Sequence, residues 1–173
     1  MSGLVLGIDP GAKFCGLALV RGRDLVAWTL LERDGQSVKD WVEQCRTRVV
    51  LLAARTFPPG LKVFRADHLT VAIEAVVKPQ SHIDGKLRMN SPESLIGTAA
   101  VMGGMVVWAA TEGFPCVLVP PGGNGSGRRE GYPPELWGAR EGPAGTGKLN
   151  HVRSAYDCAL AGRTMVAQSG RTP

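Results

Sequence analysis

The chain has 173 residues, of which 44% are hydrophobic and 20% charged, an ordinary globular balance that excludes an intrinsically disordered protein. Twenty Lys and Arg against fifteen Asp and Glu leave a formal charge of +5, which suits a polyanionic partner without identifying one. The length predicts a single domain over 1–173, large enough to fold without disulfides or a structural metal. No apolar run is expected to cross a membrane, and the first ten residues have neither the basic start nor the cleavage motif of a signal peptide, so the expected location is the cytoplasm. Cys15, Cys45, Cys116 and Cys158 lie far apart with no Cys-x-x-Cys pair, and read as reduced, mostly buried thiols.

Leu4–Ile8 is an apolar run that ends at the turn Asp9-Pro10-Gly11. Phe14–Val20 and Leu25–Leu31, separated by the turn Arg21-Gly22-Arg23-Asp24, complete a three-stranded meander. Ser37 and Asp40 form a capping box, with Asp in the usual Glu position. Val38, Trp41, Val42, Cys45, Val49 and Leu52 follow at helical spacing, and Pro58-Pro59-Gly60 ends the pattern. Leu69–Val77 is a strand interrupted by one charge, Glu74. The segment after it is expected to be a loop. Ser91-Pro92 starts a helix that runs to about Thr111, where Gly113 stops it, and Cys116–Val119 is a short strand. Residues 120–147 are rich in Gly and Pro and read as a long, partly mobile loop. Lys148–Ala167 is the last helix.

The order β-β-β-α-β-α-β-α predicts an α/β fold, a mixed sheet with helices on both faces. Asp9 closes an apolar strand, Glu74 interrupts another, and Asp157 lies among small and apolar residues of the last helix. A carboxylate in such a setting is costly unless it is paired, protonated or bound to metal. Each residue alone reads as a paired or edge-facing acid. Three from separate elements suggest a site for Mg²⁺, which takes oxygen ligands. Two such ions could stabilise both the attacking and the leaving oxygen of a phosphodiester.

These residues also carry a family likeness. Gly7-Ile8-Asp9-Pro10-Gly11, followed by Gly16, resembles the opening of RuvC-type Holliday junction resolvases, members of the ribonuclease H-like superfamily. Val71-Ala72-Ile73-Glu74 is similar to their second motif and Ser154-Ala155-Tyr156-Asp157-Cys158-Ala159-Leu160 to their last. The segment Lys148–Asp157 is closer still to bacteriophage members. The resemblance implies a five-stranded sheet in the order 3-2-1-4-5. It also implies a homodimer that cleaves branched DNA with Mg²⁺, Mn²⁺ substituting, through two ions held by Asp9, Glu74 and Asp157.

Two positions, Ser154 and Val77, depart from the family pattern. Ser154 stands where the family has a fourth acid or a histidine. His151, one turn further back, reads either as an auxiliary group acting through water or on the scissile phosphate, or as a solvated helix histidine. Val77 stands where cellular members carry an aromatic wedge.

Lys13, Lys78, Lys86, Arg88, Arg128, Arg129, Lys148 and Arg153 are the candidate DNA contacts, with Arg140 in the same long loop. The helix from Pro92 to Thr111 is apolar nearly all round, and its small residues read as a seat for a second helix across a dimer axis. Three other readings compete. Gly142–Lys148 fits the start of a phosphate-binding ATPase loop, but Leu149 replaces its Ser or Thr and too little chain follows. An actin-like or sugar-kinase-like ATP site would need a second domain. A catalytically silent nucleic-acid-binding scaffold of the same fold is the remaining alternative.

Overall fold

The computed structural model describes residues 3–54, 69–76, 81–83, 86–88, 91–138 and 147–169. Lys78, Arg140, Pro58–Gly60 and Gly142–Thr146, singled out in the sequence, lie outside those residues.

The meander forms as expected. Strand β1 (Leu4–Asp9) pairs antiparallel with β2 (Phe14–Arg21), which pairs antiparallel with β3 (Asp24–Glu32). Gly22 takes φ +66° in the turn between β2 and β3, a conformation that costs glycine no steric penalty. Helix α1 (Val38–Ala54) starts on the expected capping box. The Ser37 hydroxyl donates to Asp40 Oδ2 at 2.8 Å and accepts from the Asp40 N–H at 3.2 Å. Strand β4 (Leu69–Glu74) then lies parallel to β1, and after helix α2 (Pro92–Thr111) strand β7 (Cys116–Val119) lies parallel to β4. The sheet order is β3-β2-β1-β4-β7, the 3-2-1-4-5 arrangement expected from the sequence.

Between β4 and α2 the expected loop contains a two-stranded hairpin, β5 (Ser81–Ile83) with β6 (Lys86–Arg88). The dipeptide Asp84-Gly85 between two alternating runs is its signal. Lys86 and Arg88 therefore occupy alternate positions of one short strand.

Strand alternation divides the core. Leu4, Leu6 and Ile8 of β1, with Val71 and Ile73 of β4, pack against Trp41, Cys45 and Val49 of α1 and Val101 and Met105 of α2. Val5 and Ala72 face the other way, onto Val152, Ala155, Tyr156 and Ala159 of helix α3 (Asn150–Ser169). Burying these two apolar layers is the main stabilising term. Cys15, Cys45 and Cys158 are buried free thiols, and Cys116 is partly buried.

Helix α2 packs within the chain. By length and composition this helix would pass for a membrane span, with a mean hydropathy of 1.5. In the fold, Gly97, Val101, Met105, Trp108 and Ala109 are buried inside the molecule. Two of its glycines are also used within the chain, while Gly103 faces open space among the described residues. A Cβ at Gly104 would run into Val42 of α1, and one at Gly97 would press on Ala12. The helix that approaches closely is thus α1 of the same chain. Ile96 and Val107 remain largely exposed.

A carboxylate cluster as candidate active site

Strand register brings the first two acids together. β1 and β4 run parallel with Ile8 beside Ile73, so Asp9 and Glu74 end their strands as neighbours. Both alternate onto the α3 side. The turn after Asp9 is fastened from two helices. Trp41 Nε1 donates to Gly11 O at 2.9 Å, and the Ala12 N–H donates to Thr98 Oγ1 at 3.1 Å.

Helix α3 lies against this end of the sheet because glycines let it. A Cβ at Gly7 would collide with the carbonyl oxygen of Ala155, and one at Gly16 with the carbonyl of His151. Backbone therefore meets backbone. His151 and Ser154 are carried directly over the strand ends.

His151 Nδ1 lies 2.8 Å from Asp9 Oδ2, so the histidine is a partner of the first acid and is not solvated on an open helix face. That hydrogen bond, with the Asp9 charge, raises the imidazole pKa against the opposing effect of burial. Ser154 donates to Glu74 Oε2 at 2.6 Å. It acts on the acid without itself offering a charged ligand. Burial first, and then the Asp9 charge against the hydrogen bond from Ser154, leave the Glu74 carboxyl above its ordinary pKa. An open cleft of about 210 Å³ is lined by Asp9, Glu74, Leu95, Thr98 and Pro121, among others.

Asp157 has hydrogen-bond partners of its own. Its Oδ2 accepts from the Gly125 N–H at 2.8 Å and from the Tyr132 hydroxyl at 2.7 Å. Burial and the Asp157 carboxylate push the Tyr132 hydroxyl up to about 12. Asn124 Nδ2 donates to Glu74 Oε1 at 3.1 Å. Among the described residues no group of three His, Cys, Asp or Glu side chains is arranged to hold a metal ion.

Asn124, Gly125 and Tyr132 are site residues that sequence reasoning missed. They belong to the stretch expected to be a mobile loop. Over 120–138 that loop carries 3₁₀ turns at Arg129–Gly131 and Pro134–Leu136 and buries Tyr132 and Leu136. Tyr132, Leu136 and Trp137 around Pro133-Pro134 were the available signal, since mobile loops rarely concentrate such side chains.

The basic candidates separate. Arg153 is corrected as a DNA contact. It is 1% exposed, and its Nε and Nη2 donate to Leu136 O at 3.0 and 2.7 Å. Its guanidinium holds the 3₁₀ segment onto α3. Lys148 pairs with Glu32 at 2.6 Å, and Arg129 pairs with Glu130 at 3.2 Å. Lys13 and Lys148 both lie over the Phe14 ring, 5.4 and 5.3 Å from its centre. Arg128 is exposed beside Arg129.

The mixed sheet, its 3-2-1-4-5 order and the helices packed on it define the ribonuclease H-like fold in its RuvC form. Solved structures that share it include Thermus thermophilus RuvC in complex with a Holliday junction substrate and Thermus thermophilus RuvC alone. The first has a TM-score of 0.59 at 18% identity, covering 97% of this chain and 96% of that one. The second has a TM-score of 0.57 at 19% identity, covering 96% of each. No family model matches the chain, and no curated protein matches it.

Proposed function

We propose that this chain is a divalent-metal-dependent endonuclease that cleaves branched DNA, four-way junctions above all, as a homodimer in the cytoplasm of a cell or of a phage-infected host. The observation that carries the reading is the pairing of Asp9 and Glu74 at adjacent parallel strand ends, with Asp157 on the helix pressed against them.

The donor set fits Mg²⁺ or Mn²⁺. Burial raises the Glu74 carboxyl pKa, and repulsion from the neighbouring Asp9 carboxylate adds to it. A cation between them relieves that repulsion, and Mg²⁺ is commonly held by one or two carboxylates plus substrate phosphate. Asp9 and Glu74 would hold such an ion, with Asp157 available to a second. A bound divalent ion supplies Lewis-acid stabilisation of the phosphoryl oxygens. The chain's own residues orient the ligands. Ser154 and Asn124 each grip one oxygen of Glu74, His151 engages Asp9, and Gly125 with Tyr132 fixes Asp157. Lys13, Lys86, Arg88 and Arg128 are proposed to meet the phosphate backbone. The exposed Ile96 and Val107 of α2 are proposed to face a second copy, placing one site on each of two equivalent junction strands.

A silent scaffold is favoured by two observations, Ser154 in place of a charged ligand and the hydrogen bonds that occupy Asp157. The ATPase reading loses support, because Lys148 is engaged by Glu32. The deciding experiment incubates purified protein with labelled four-way junction, fork, flap, duplex and RNA–DNA hybrid, in Mg²⁺ or EDTA. Junction cleavage in Mg²⁺ alone is expected. Tight junction binding without cleavage in either Mg²⁺ or Mn²⁺ would leave the scaffold.

A further inference from the structure

We propose that Phe14 is a positioning residue that sets the imidazole of His151 on Asp9. The inference deepens the nuclease reading and rests on it for the reaction served.

Phe14 opens β2, and its register partner across the sheet is Glu32 at the end of β3. Cross-strand partners project to the same face. The Phe14 ring therefore stands beside the Glu32 carboxylate, on the side where α3 begins. It stacks on His151 with ring centres 5.5 Å apart and an interplanar angle of 29°. Lys148 is tied to Glu32 and lies over the same ring, and Lys13 lies over it as well. The aromatic ring is thus a hub joining the imidazole to two ammonium groups.

Stacking restricts rotation of the histidine ring, which otherwise has a broad, roughly two-fold torsion. Rotation matters because the two ring nitrogens differ. The hydrogen bond made by one decides what the other can do. With Nδ1–H donating to Asp9 Oδ2, Nε2 of the neutral ring carries the lone pair and is left to accept from a water at the substrate; only the protonated ring donates Nε2–H to a phosphate oxygen. A ring free to flip would offer Nε2 to Asp9 for part of the time and lose that arrangement. Ser154 supplies no charged group at its own position, so His151 is the α3 side chain through which the helix acts on Asp9. Phe14 acts through it and touches no reacting atom.

The test is ¹⁵N NMR of the histidine-labelled, metal-free chain in alkaline buffer, with the His151 signals assigned by His151→Gln. The wild type and Phe14→Tyr should show the Nδ1–H form of the neutral ring. Phe14→Leu should shift it toward the Nε2–H form, with the rest of the amide spectrum unchanged. Should the leucine chain not fold, Phe14→Met is read in the same way.

In junction cleavage, Phe14→Leu should lower kcat about ten- to a hundred-fold at unchanged KM. Phe14→Tyr should restore it, and Phe14→Leu should add nothing to His151→Gln. An unchanged tautomer in the aliphatic variant, or independent multiplicative losses in the double variant, would overturn the role of Phe14. A wild-type chain that cuts no DNA in Mg²⁺ or Mn²⁺ would overturn the nuclease reading. The tautomer shift would still decide whether Phe14 sets the ring.

Discussion

Tyr132→Phe removes one oxygen and leaves the ring in place. The ring keeps its edge contact with Tyr156, 6.1 Å between centres, and the Arg153 guanidinium stays above it at 5.2 Å. What is lost is the 2.7 Å hydrogen bond to Asp157 Oδ2, together with the acceptor for the Gly127 N–H. A hydrogen bond to a charged group contributes about 1.5–3 kcal/mol. Asp157 is only partly buried and water can replace some of the loss, so the expected destabilisation is about 1–2 kcal/mol by urea titration. Tyr156→Phe is the internal control. Its hydroxyl donates to a neutral acceptor, Arg23 O at 2.8 Å, and should cost about 0.5–1.5 kcal/mol. Pairing each variant with Asp157→Asn separates the two. The 132/157 cycle should show a coupling of about 1 kcal/mol, and the 156/157 cycle close to none. Independent sites add within about 0.3–0.5 kcal/mol. A 132/157 coupling inside that range would refute the claim that Tyr132 holds the carboxylate.

Asp9→Asn, Glu74→Gln and Asp157→Asn should each abolish junction cleavage while circular dichroism stays native, and double variants should be little worse, since members of one catalytic unit are not additive. Near-normal cleavage by any of them would remove that residue from the site. Gly16→Ala should lower stability by about 1–3 kcal/mol or more, because the new methyl meets the His151 carbonyl and must push α3 away; calorimetry checks it. Lys86→Ala with Arg88→Ala should weaken junction binding and flatten its dependence on salt, and an unchanged slope would mean that β6 does not touch phosphate. Light scattering should give about twice the 18.3 kDa chain mass, and Val107→Glu should shift it toward monomer without disturbing the sheet. A monomeric wild type that still cleaves junctions would defeat the dimer.

The sheet was legible because its signals are local. Alternation in β1 to β3, the Ser37–Asp40 box and the Ser91-Pro92 start each report on a few neighbouring residues, and each element formed within a few residues of its expected bounds. Asp9 and Glu74 stood out because a charge in an apolar run must be accounted for, and the parallel register then made them neighbours. Asn124 and Tyr132 were illegible for the opposite reason. Their role depends on contacts 50 and 25 residues away, in a stretch whose glycines and prolines mask its buried side chains. Arg153 was misread because a helix-face cation next to a motif looks the same whether it meets solvent or a buried carbonyl. The spacing of the α2 glycines reveals close approach without revealing what approaches: Gly104 meets Val42 of α1 and Gly97 meets Ala12, while Gly103 meets nothing among the described residues.

The bare contact of Gly7 and Gly16 with α3 makes the width of the site a property of the main chain. On the opposite face, Leu6, Ile8 and Val49 meet through side chains, and one can shrink while another grows with the layer spacing kept. Beneath α3 there is no such give. The distance from His151 and Ser154 to the two acids is set by carbonyl oxygens resting on glycine α-carbons, a spacer with no adjustable part. A redesign of this molecule could therefore repack one half of the core freely. A single added methyl group under α3 would move the helix-borne groups off both acids together.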